Sequence, residues 1–244
     1  FDHSCKVMTA AAPPPAAILE AMQKLGFQVT HVYGLTEVYG PCVVCAWDPE
    51  WNNLPIKEQA IIKSRQGVSY LVQEGIRVVN QENGFDVPRD GKTIGEVLLR
   101  GNITMKGYLK NPVATEEAFS GGWFHTGDLG VMFENGYVQL KDRAKDIIIS
   151  GGENISSIEI ENCIYDLEQV AACGVVAMKD KKWGEVPCVF VELKREHTLS
   201  KDQIITHCRS NLAGFKVPKE VIFQEIPKTS TGKIQKVELR KLIT

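Results

Sequence analysis

The sequence predicts an α/β (α+β) fold in which a partial parallel α/β unit and a small β subdomain precede a compact C-terminal α/β domain. Three observations predict it: a strand–helix–strand pattern at the start, short alternating runs separated by Gly, Asn and Pro in the middle, and alternating strands and helices over the last ~100 residues. We expect a first domain at 1–142, with the α/β piece at 1–66 and a barrel-like β subdomain at 67–142, and a second domain at 143–244.

The N-terminal unit is predicted as strand, helix and strand in turn. Cys5–Thr9 is a strand that three prolines end, and the last proline suits the first turn of a helix. Apolar residues follow at helical spacing until Gly26, and Gln28–Tyr33 is the next strand. Because ligands of parallel sheets gather beyond the carboxyl ends of the strands, we expect a site at the loops 10–12 and 34–37.

The remaining elements follow from alternation, turn signals and helical spacing. In the β subdomain and its approach, a helix is predicted at 56–63, strands at 69–72, 77–80, 95–100, 131–133 and 137–141, and a short helix at 115–119. In the last domain, strands are predicted at 147–150, 170–178, 187–194 and 220–224, and helices at 156–165 and 201–212. Two Glu-Asn-Gly triplets mark tight turns between strands.

Charge, hydropathy and cysteine usage limit the class of protein. A net charge of −2 predicts no nucleic-acid or anionic-membrane partner, and no apolar run approaches the ~20 residues that span a bilayer. The chain opens at Phe1 without a leader, which is typical of a fragment. Seven scattered cysteines indicate reduced, buried thiols of an intracellular protein, and for the Cys42/Cys45 pair we favour core packing over a metal or redox site.

The first candidate site is Tyr33-Gly34-Leu35-Thr36-Glu37, which follows a predicted strand. Gly34 permits a sharp turn and a close approach to the backbone. Thr36 offers a hydroxyl to a phosphate, Glu37 offers a carboxylate to Mg²⁺, and Tyr33 offers a flat face to a base. An ordinary β-turn with a solvated acid is the alternative.

The second candidate site is the run from Trp123 to Leu129, which contains His125-Thr126-Gly127-Asp128. An aspartate held in a glycine turn beside a strand can grip two ribose hydroxyls, because one carboxylate accepts two hydrogen bonds. The alternative is an Asx turn that connects two strands. For His125 we expect a structural role.

Two further motifs lie in or beside the last predicted domain. The charged run Lys141–Asp146 is typical of a solvated linker, yet the Gly151-Gly152 pair after a strand can line a narrow passage. Lys233 projects from a Pro-, Ser-, Thr- and Gly-rich loop as a mobile point charge, or is an ordinary surface lysine.

The order and spacing of these motifs resemble the adenylate-forming superfamily of acyl–CoA ligases, luciferases and peptide-synthetase adenylation domains. The matching stretches cover nearly the whole chain: Tyr33–Glu37, Gly95–Asn111, Trp123–Leu129, Asp142–Glu161 and Pro227–Lys233. The stretches 8–15 and 34–47 look most similar to plant peroxisomal acyl-activating enzymes. The resemblance implies ATP-dependent activation of a short-chain, fatty or aromatic carboxylic acid to an acyl-adenylate, followed by transfer to coenzyme A.

The resemblance also implies a role for each candidate residue. Near the adenine and the acyl group it places Ala10, Ala11 and Ala12, with Tyr33 stacked on the base. It places Thr36 at the α-phosphate, Glu37 on Mg²⁺, and Asp128 and Arg143 on the ribose. Lys145 is implied as the hinge, Gly151 and Gly152 as the wall of the pantetheine passage, and Lys233 as the catalytic lysine.

The sequence departs from this family at its start. Members carry a Ser/Thr/Gly-rich phosphate loop upstream of the Tyr33–Glu37 motif, and the sequence contains no such loop. We therefore expect the C-terminal portion of a longer enzyme, completed by an N-terminal portion, in the peroxisome or cytoplasm. The alternatives are a truncated product that binds a nucleotide, coenzyme A or a partner without catalysis, and an adenylating enzyme that does not use coenzyme A.

Overall fold

A computed structural model describes residues 3–11, 14–230 and 232–243. Its chain divides into two compact units, Phe1–Ala144 and Lys145–Thr244. No helix in the described ranges is long and apolar enough to cross a membrane.

The first unit begins with a four-stranded sheet that has two helices. Its elements are β1 (Cys5–Thr9), α1 (Ala16–Lys24), β2 (Phe27–Leu35), β3 (Gly40–Val44), α2 (Ile56–Lys63) and β4 (Val68–Ser69). The strand order is β1-β2-β3-β4, and the β1–β2 pair is parallel, as the strand–helix–strand pattern predicted. Leu19 of α1 and Ala60 of α2 pack with Val29 of β2, so the two helices share one small core.

A second four-stranded sheet completes the first unit. Its elements are β5 (Gly75–Val79), β6 (Gly95–Arg100), α3 (Pro112–Ala118), β7 (Phe124–Met132) and β8 (Val138–Arg143). Every pairing is antiparallel and the order is β5-β6-β7-β8. In the described residues this order is an open meander, where a barrel-like form was predicted. The Gly84 and Gly136 turns have φ of 71° and 80°, which suits the Asn-Gly signals.

The second unit is a five-stranded sheet with helices. It contains β9 (Ile148–Ser150), β10 (Glu153–Ile155), α4 (Ser157–Tyr165), β11 (Val170–Asp180), β12 (Gly184–Leu193), α5 (Lys201–Asn211), β13 (Glu220–Phe223) and α6 (Lys236–Lys241). The order is β10-β9-β12-β11, and β13 pairs in parallel with β12. The Ser156 side chain accepts from the Glu159 amide and so caps α4.

Alternation along β11 and β12, the two longest strands, gives this sheet two covered faces. Val175 and Val189 lie in one core with side chains of α4 and α5. Their neighbours Val176 and Phe190 lie in a second core with Leu239 of α6. Successive side chains of a strand point to opposite faces, so the helices bury both sides of β11 and β12. The second unit therefore has a complete core of its own.

The cysteines support the interpretation of buried, reduced thiols. All seven are free; six are buried, and Cys5 is half-buried. The thiol of Cys42 donates to the Tyr33 carbonyl and that of Cys45 to the Ile62 carbonyl, each over 3.5 Å. Burial raises the pKa of Cys42 to about 12 and that of Cys45 to about 11.

Alkylation rates should separate Cys5 from the Cys42/Cys45 pair. At about pH 8, the raised pKa values leave Cys42 and Cys45 with thiolate fractions at least about 100-fold below that of an exposed thiol. We expect iodoacetamide to modify Cys5 first, and Cys42 and Cys45 only after denaturation, as peptide mass spectrometry would measure. Equal labelling of Cys5 and Cys42 in the native chain would contradict the burial described above.

Candidate functional site

The loop after β1 lies at the carboxyl end of the first parallel strand, where a ligand site was expected. Ala10 and Ala11 are exposed, and Ala11 has a left-handed backbone with φ of 76°. Ala12 lies outside the described residues. A non-glycine residue in this conformation is uncommon, and such residues concentrate at turns and ligand sites.

Gly34 lies within β2 and not in the turn after it, where the sequence predicted it, and the close pairing of β2 with β3 depends on it. A Cβ at this position would lie 1.9 Å from the carbonyl oxygen of Gly40 on the paired strand β3, so only glycine allows this approach. The chain then enters a short 3-10 turn over Thr36–Val38, which Tyr39 ends in a left-handed conformation with φ of 58°. Thr36 is exposed and Glu37 is half-buried, so both side chains can reach a ligand beyond the strand end.

Glu37 is oriented by a segment that sequence reasoning did not single out. The Tyr108 hydroxyl donates to Glu37 Oε1 over 3.2 Å, and the Met105 amide donates to the Glu37 carbonyl over 2.7 Å. Both residues come from the segment between β6 and α3. The segment does lie in the Gly95–Asn111 stretch that resembles the adenylate-forming superfamily. That resemblance does not by itself predict which residues contact Glu37.

Asp128 lies in a bulge within one strand, which rules out the alternative of an Asx turn that connects two strands. Glu96 pairs with Leu129 and Leu98 pairs with His125, so three residues of β7 oppose the single residue Val97 of β6. Gly127 has φ of 68°, which the bulge requires. Because of the two extra residues, the Asp128 side chain departs from the regular alternation of side chains along β7.

Two side chains hold this bulge in place. Glu96 Oε1 accepts from the Gly127 amide over 3.0 Å, and Glu96 Oε2 lies 2.9 Å from His125 Nδ1. The Thr126 hydroxyl donates to the Val97 carbonyl over 2.7 Å and accepts from the Asp128 amide over 3.0 Å. His125 thus has a hydrogen-bonding partner within the sheet, Glu96, whose contribution the sequence motifs did not predict.

Tyr33, Asp128 and Arg143 form one hydrogen-bonded network. The Tyr33 hydroxyl donates to Asp128 Oδ2 over 2.6 Å, although 95 residues separate the two in sequence. Arg143 Nε lies 3.2 Å from Asp128 Oδ1, because Arg143 on β8 pairs directly with Asp128 on β7. Tyr33 and Asp128 are 8% and 4% exposed, and burial with the nearby carboxylate holds the pKa of Tyr33 well above its usual range.

This network fixes the orientation of the Asp128 carboxylate. Tyr33 stays protonated at neutral pH and donates to one Asp128 oxygen, while Arg143 neutralises the other. A carboxylate oxygen can accept more than one hydrogen bond, and the contact of Asp128 with two vicinal hydroxyls of a ribose stays a prediction. The Tyr33 ring lies within the core of the unit, and its stacking on a base stays a prediction.

In the second unit, the candidates lie on two turns. Lys145 is exposed and is the first residue of the unit. Gly151 and Gly152 have φ of 60° and 88° in the tight turn between β9 and β10. The Gly151 amide donates to the Trp183 carbonyl over 2.9 Å, and a Cβ on Gly151 would lie 2.9 Å from the Trp183 ring. Glycine at 151 therefore keeps this indole close to the backbone.

Lys233 is exposed at the end of a closed loop. The Thr229 amide donates to the Lys233 carbonyl over 2.8 Å, and the Lys233 amide donates to the Thr229 hydroxyl over 3.1 Å. At the base of the loop, Glu192 Oε2 accepts from the Ile226 amide and pairs with Lys228 Nζ over 2.8 Å. Lys228 lowers the pKa of Glu192, so this anchor is charged at neutral pH.

The residues present fit a magnesium ion held together with a nucleotide, and do not form a closed protein cage. No group of three or more His, Cys, Asp or Glu side chains able to hold a metal is found in the described part of the chain. Mg²⁺ is commonly bound by one or two carboxylates together with substrate phosphates and water. The half-buried Glu37 carboxylate, with one oxygen held by Tyr108, matches this sparse type of site.

Two family models match the chain. The AMP-binding enzyme model matches residues 2–109, and the AMP-binding enzyme C-terminal domain model matches residues 159–233. Among curated relatives, an acetate–CoA ligase of Humulus lupulus is 53% identical over 98% of this chain. A peroxisomal benzoate–CoA ligase of Arabidopsis thaliana is 50% identical over 97% of this chain. The chain spans 43% of the length of each.

Solved structures agree with the fold. An anthranilate CoA ligase in complex with anthranoyl-AMP matches 98% of this chain with a TM-score of 0.84 at 28% identity, over 44% of its own length. An o-succinylbenzoate CoA synthetase from Bacillus subtilis with its acyl-adenylate intermediate matches 96% of this chain, over 46% of its own length, with a TM-score of 0.80 at 29% identity. Together the two family models, which match 183 of the 244 residues, show that the chain belongs to the AMP-binding enzyme family.

Proposed function

We propose that the chain serves, as part of a longer enzyme, in the ATP-dependent activation of a carboxylic acid to an acyl-adenylate and its transfer to coenzyme A. The observation that carries this proposal is the Tyr33–Asp128–Arg143 network, which presents an oriented carboxylate beside a strand end. The supporting comparison is with relatives named as CoA ligases and with a structure that holds an acyl-adenylate.

In the first half-reaction, an oxygen of the carboxylic acid attacks the α-phosphorus of ATP. A new P–O bond forms, the bond to the bridging oxygen breaks, and pyrophosphate leaves. Asp128 and Arg143 hold the ribose, and the Thr36 hydroxyl contacts the α-phosphate. The Lys233 ammonium stabilises the charge that builds on the non-bridging oxygens. Mg²⁺, held by Glu37, would supply further charge stabilisation when bound.

In the second half-reaction, the thiol sulfur of coenzyme A attacks the acyl carbonyl. A thioester C–S bond forms, the mixed-anhydride C–O bond breaks, and AMP leaves while the thiol proton passes to solvent. Pantetheine passes along Gly151 and Gly152, where glycine lets a ligand approach the backbone closely. A rotation of the second unit about Lys145 exchanges the Lys233 loop for this passage.

The substrate class follows from relatives rather than from the site. Similar proteins are named for acetate, benzoate, 2-methylpropanoate and trans-cinnamate, which are small aliphatic or aromatic acids. We propose an acid of this range for the whole enzyme. Relatives named as peroxisomal support a peroxisomal setting, and an N-terminal portion that completes the phosphate and acyl pockets is the proposed partner.

Isotope exchange between pyrophosphate and ATP tests this proposal. The full chain would be assayed with a panel of small acids, alone and with the segment of the Humulus lupulus acetate–CoA ligase that the chain does not match. We expect acid-dependent exchange in the complemented sample. Saturable binding of AMP or coenzyme A without exchange for any acid would favour a non-catalytic, ligand-binding product instead.

Lys233→Ala is expected to lower the exchange rate by about 100-fold or more, the usual loss when a charge-stabilising donor is removed. Lys241→Ala, which removes an exposed lysine 65% accessible at its side chain, is the matched control and should keep the rate within about twofold. Exchange that survives Lys233→Ala undiminished would remove this residue from the adenylation step.

A further inference from the structure

Helix α6 follows the Lys233 loop directly and makes two charged contacts with distant parts of the second unit. Lys236 Nζ lies 2.8 Å from Glu161 Oε1 and donates to the Ser157 hydroxyl over 2.5 Å, and both partners belong to α4. One turn later on the same face, Arg240 pairs with Asp146, the residue after Lys145. None of these five residues enters the proposed reaction.

The Lys236–Glu161 contact is a largely buried ion pair. The two side chains are 16% and 13% exposed, and Glu161 Oε1 also accepts from the Val175 amide over 2.8 Å. Ser157 is fully buried. Such pairs are poor sources of net stability, because desolvation offsets their attraction, but breaking one partner leaves a buried charge and is costly. The pair therefore specifies where α6 lies.

The position of α6 in turn fixes the loop. The Gln235 amide donates to the Pro227 carbonyl over 2.9 Å, and Lys228 forms an isolated β-bridge with Ile234, so the loop is closed at its base. A Cβ on Gly174 would meet the Leu239 and Ile234 side chains at 2.7 and 3.2 Å, which shows how closely both pack on β11. The segment between Lys233 and Lys236 therefore has little conformational freedom.

We propose that Lys236 and Arg240 are positioning residues that clasp the Lys233 loop to α4 and to the segment after Lys145. This inference rests on the proposed function. In addition, the Lys233 loop and Asp146, the residue next to the hinge, then move as one rigid body. A rotation at Lys145 therefore moves the Lys233 ammonium without changing its position relative to the rest of the second unit. Without the clasp, the same rotation would deliver a loop that samples many positions.

Hydrogen exchange of the full chain tests the clasp independently of any activity. The variants are Lys236→Met and, to avoid an unpaired buried carboxylate, the double variant Glu161→Gln/Lys236→Met. The control Lys241→Met removes the exposed Lys241–Glu238 pair from the same helix. We expect amides of Thr229, Lys233 and Gln235 to exchange about 10-fold faster or more in both clasp variants, with the β12 core amides little changed. Loop exchange equal to that of the control would overturn the proposal.

The two half-reactions provide a readout that general destabilisation would not give. In the complemented enzyme, the clasp variants should lower kcat for pyrophosphate exchange about 10-fold while KM for ATP and acid stays constant. Thioester formation from supplied acyl-adenylate should keep its rate, since Lys233 is withdrawn in that step, and Lys236→Arg should restore part of the exchange. Equal losses in both half-reactions would overturn the positioning role. If wild type shows no exchange, the proposed function fails, and loop hydrogen exchange alone decides the clasp.

Discussion

Replacing Gly34 with alanine is expected to lower the free energy of unfolding of the first unit by about 3 kcal/mol, at the upper end for overpacking. The added methyl would lie 1.9 Å from the Gly40 carbonyl oxygen and 2.6 Å from its carbon. These are backbone atoms of β3, and they can move only if the pairing of β2 with β3 shifts. The Thr36 and Glu37 turn would move with it.

The matched control is Gly214→Ala, because that glycine has no atom within 4 Å of an added Cβ and no positive φ. Chemical denaturation followed by Trp fluorescence, with hydrogen exchange to assign the unit, measures both variants. A midpoint for Gly34→Ala that matches the control would contradict the close approach of β2 to β3.

Asp128→Asn is expected to weaken binding of AMP by about 10-fold or more, since hydrogen bonds to a charged acceptor contribute about 1.5–3 kcal/mol. The amide removes the charge that pairs with Arg143 and turns one acceptor into a donor. A structural cost accompanies it, because the residue is 4% exposed and its carboxylate accepts from Tyr33. Isothermal titration calorimetry measures the affinity, and thermal unfolding measures the structural part.

Asp86→Asn is the control for this carboxylate. It removes an ion pair with Arg77 in which the aspartate side chain is 65% exposed, and such pairs contribute about 0–1 kcal/mol. The control should leave AMP affinity unchanged. If Asp128→Asn binds AMP with unaltered affinity, the Tyr33–Asp128–Arg143 network has no role in nucleotide binding.

The regular elements were predictable where pattern and turn chemistry agreed. The helix at 56–63 and the strand at 95–100 have the predicted bounds, and the parallel pairing of β1 with β2 is confirmed. Strand β3 was not predicted, because its pairing with β2 and β4 is not local information. Helix α6 was missed because its sequence is mostly charged and only Leu239 is buried; its position depends on tertiary ion pairs.

The sequence predicted which residues form the candidate site, but not the contacts between them. The motifs supplied Tyr33, Asp128 and Arg143 separately, and only the fold brings a hydroxyl and a carboxylate 95 positions apart to 2.6 Å. The bulge that aims Asp128 depends on the register of β6 against β7, which no local pattern encodes. For the same reason Glu96 and Tyr108, which orient Gly127 and Glu37, were not foreseen.

Titration of the isotopically labelled chain with AMP, followed by NMR, tests most directly whether the two units serve one nucleotide. We expect the signals of Gly34, Asp128 and Arg143 and of the Lys233 side chain to shift together with one dissociation constant. Uridine monophosphate, which lacks the adenine, should bind more weakly. Signals that respond with unrelated affinities, or a Lys233 that never responds while Asp128 does, would contradict a shared AMP site.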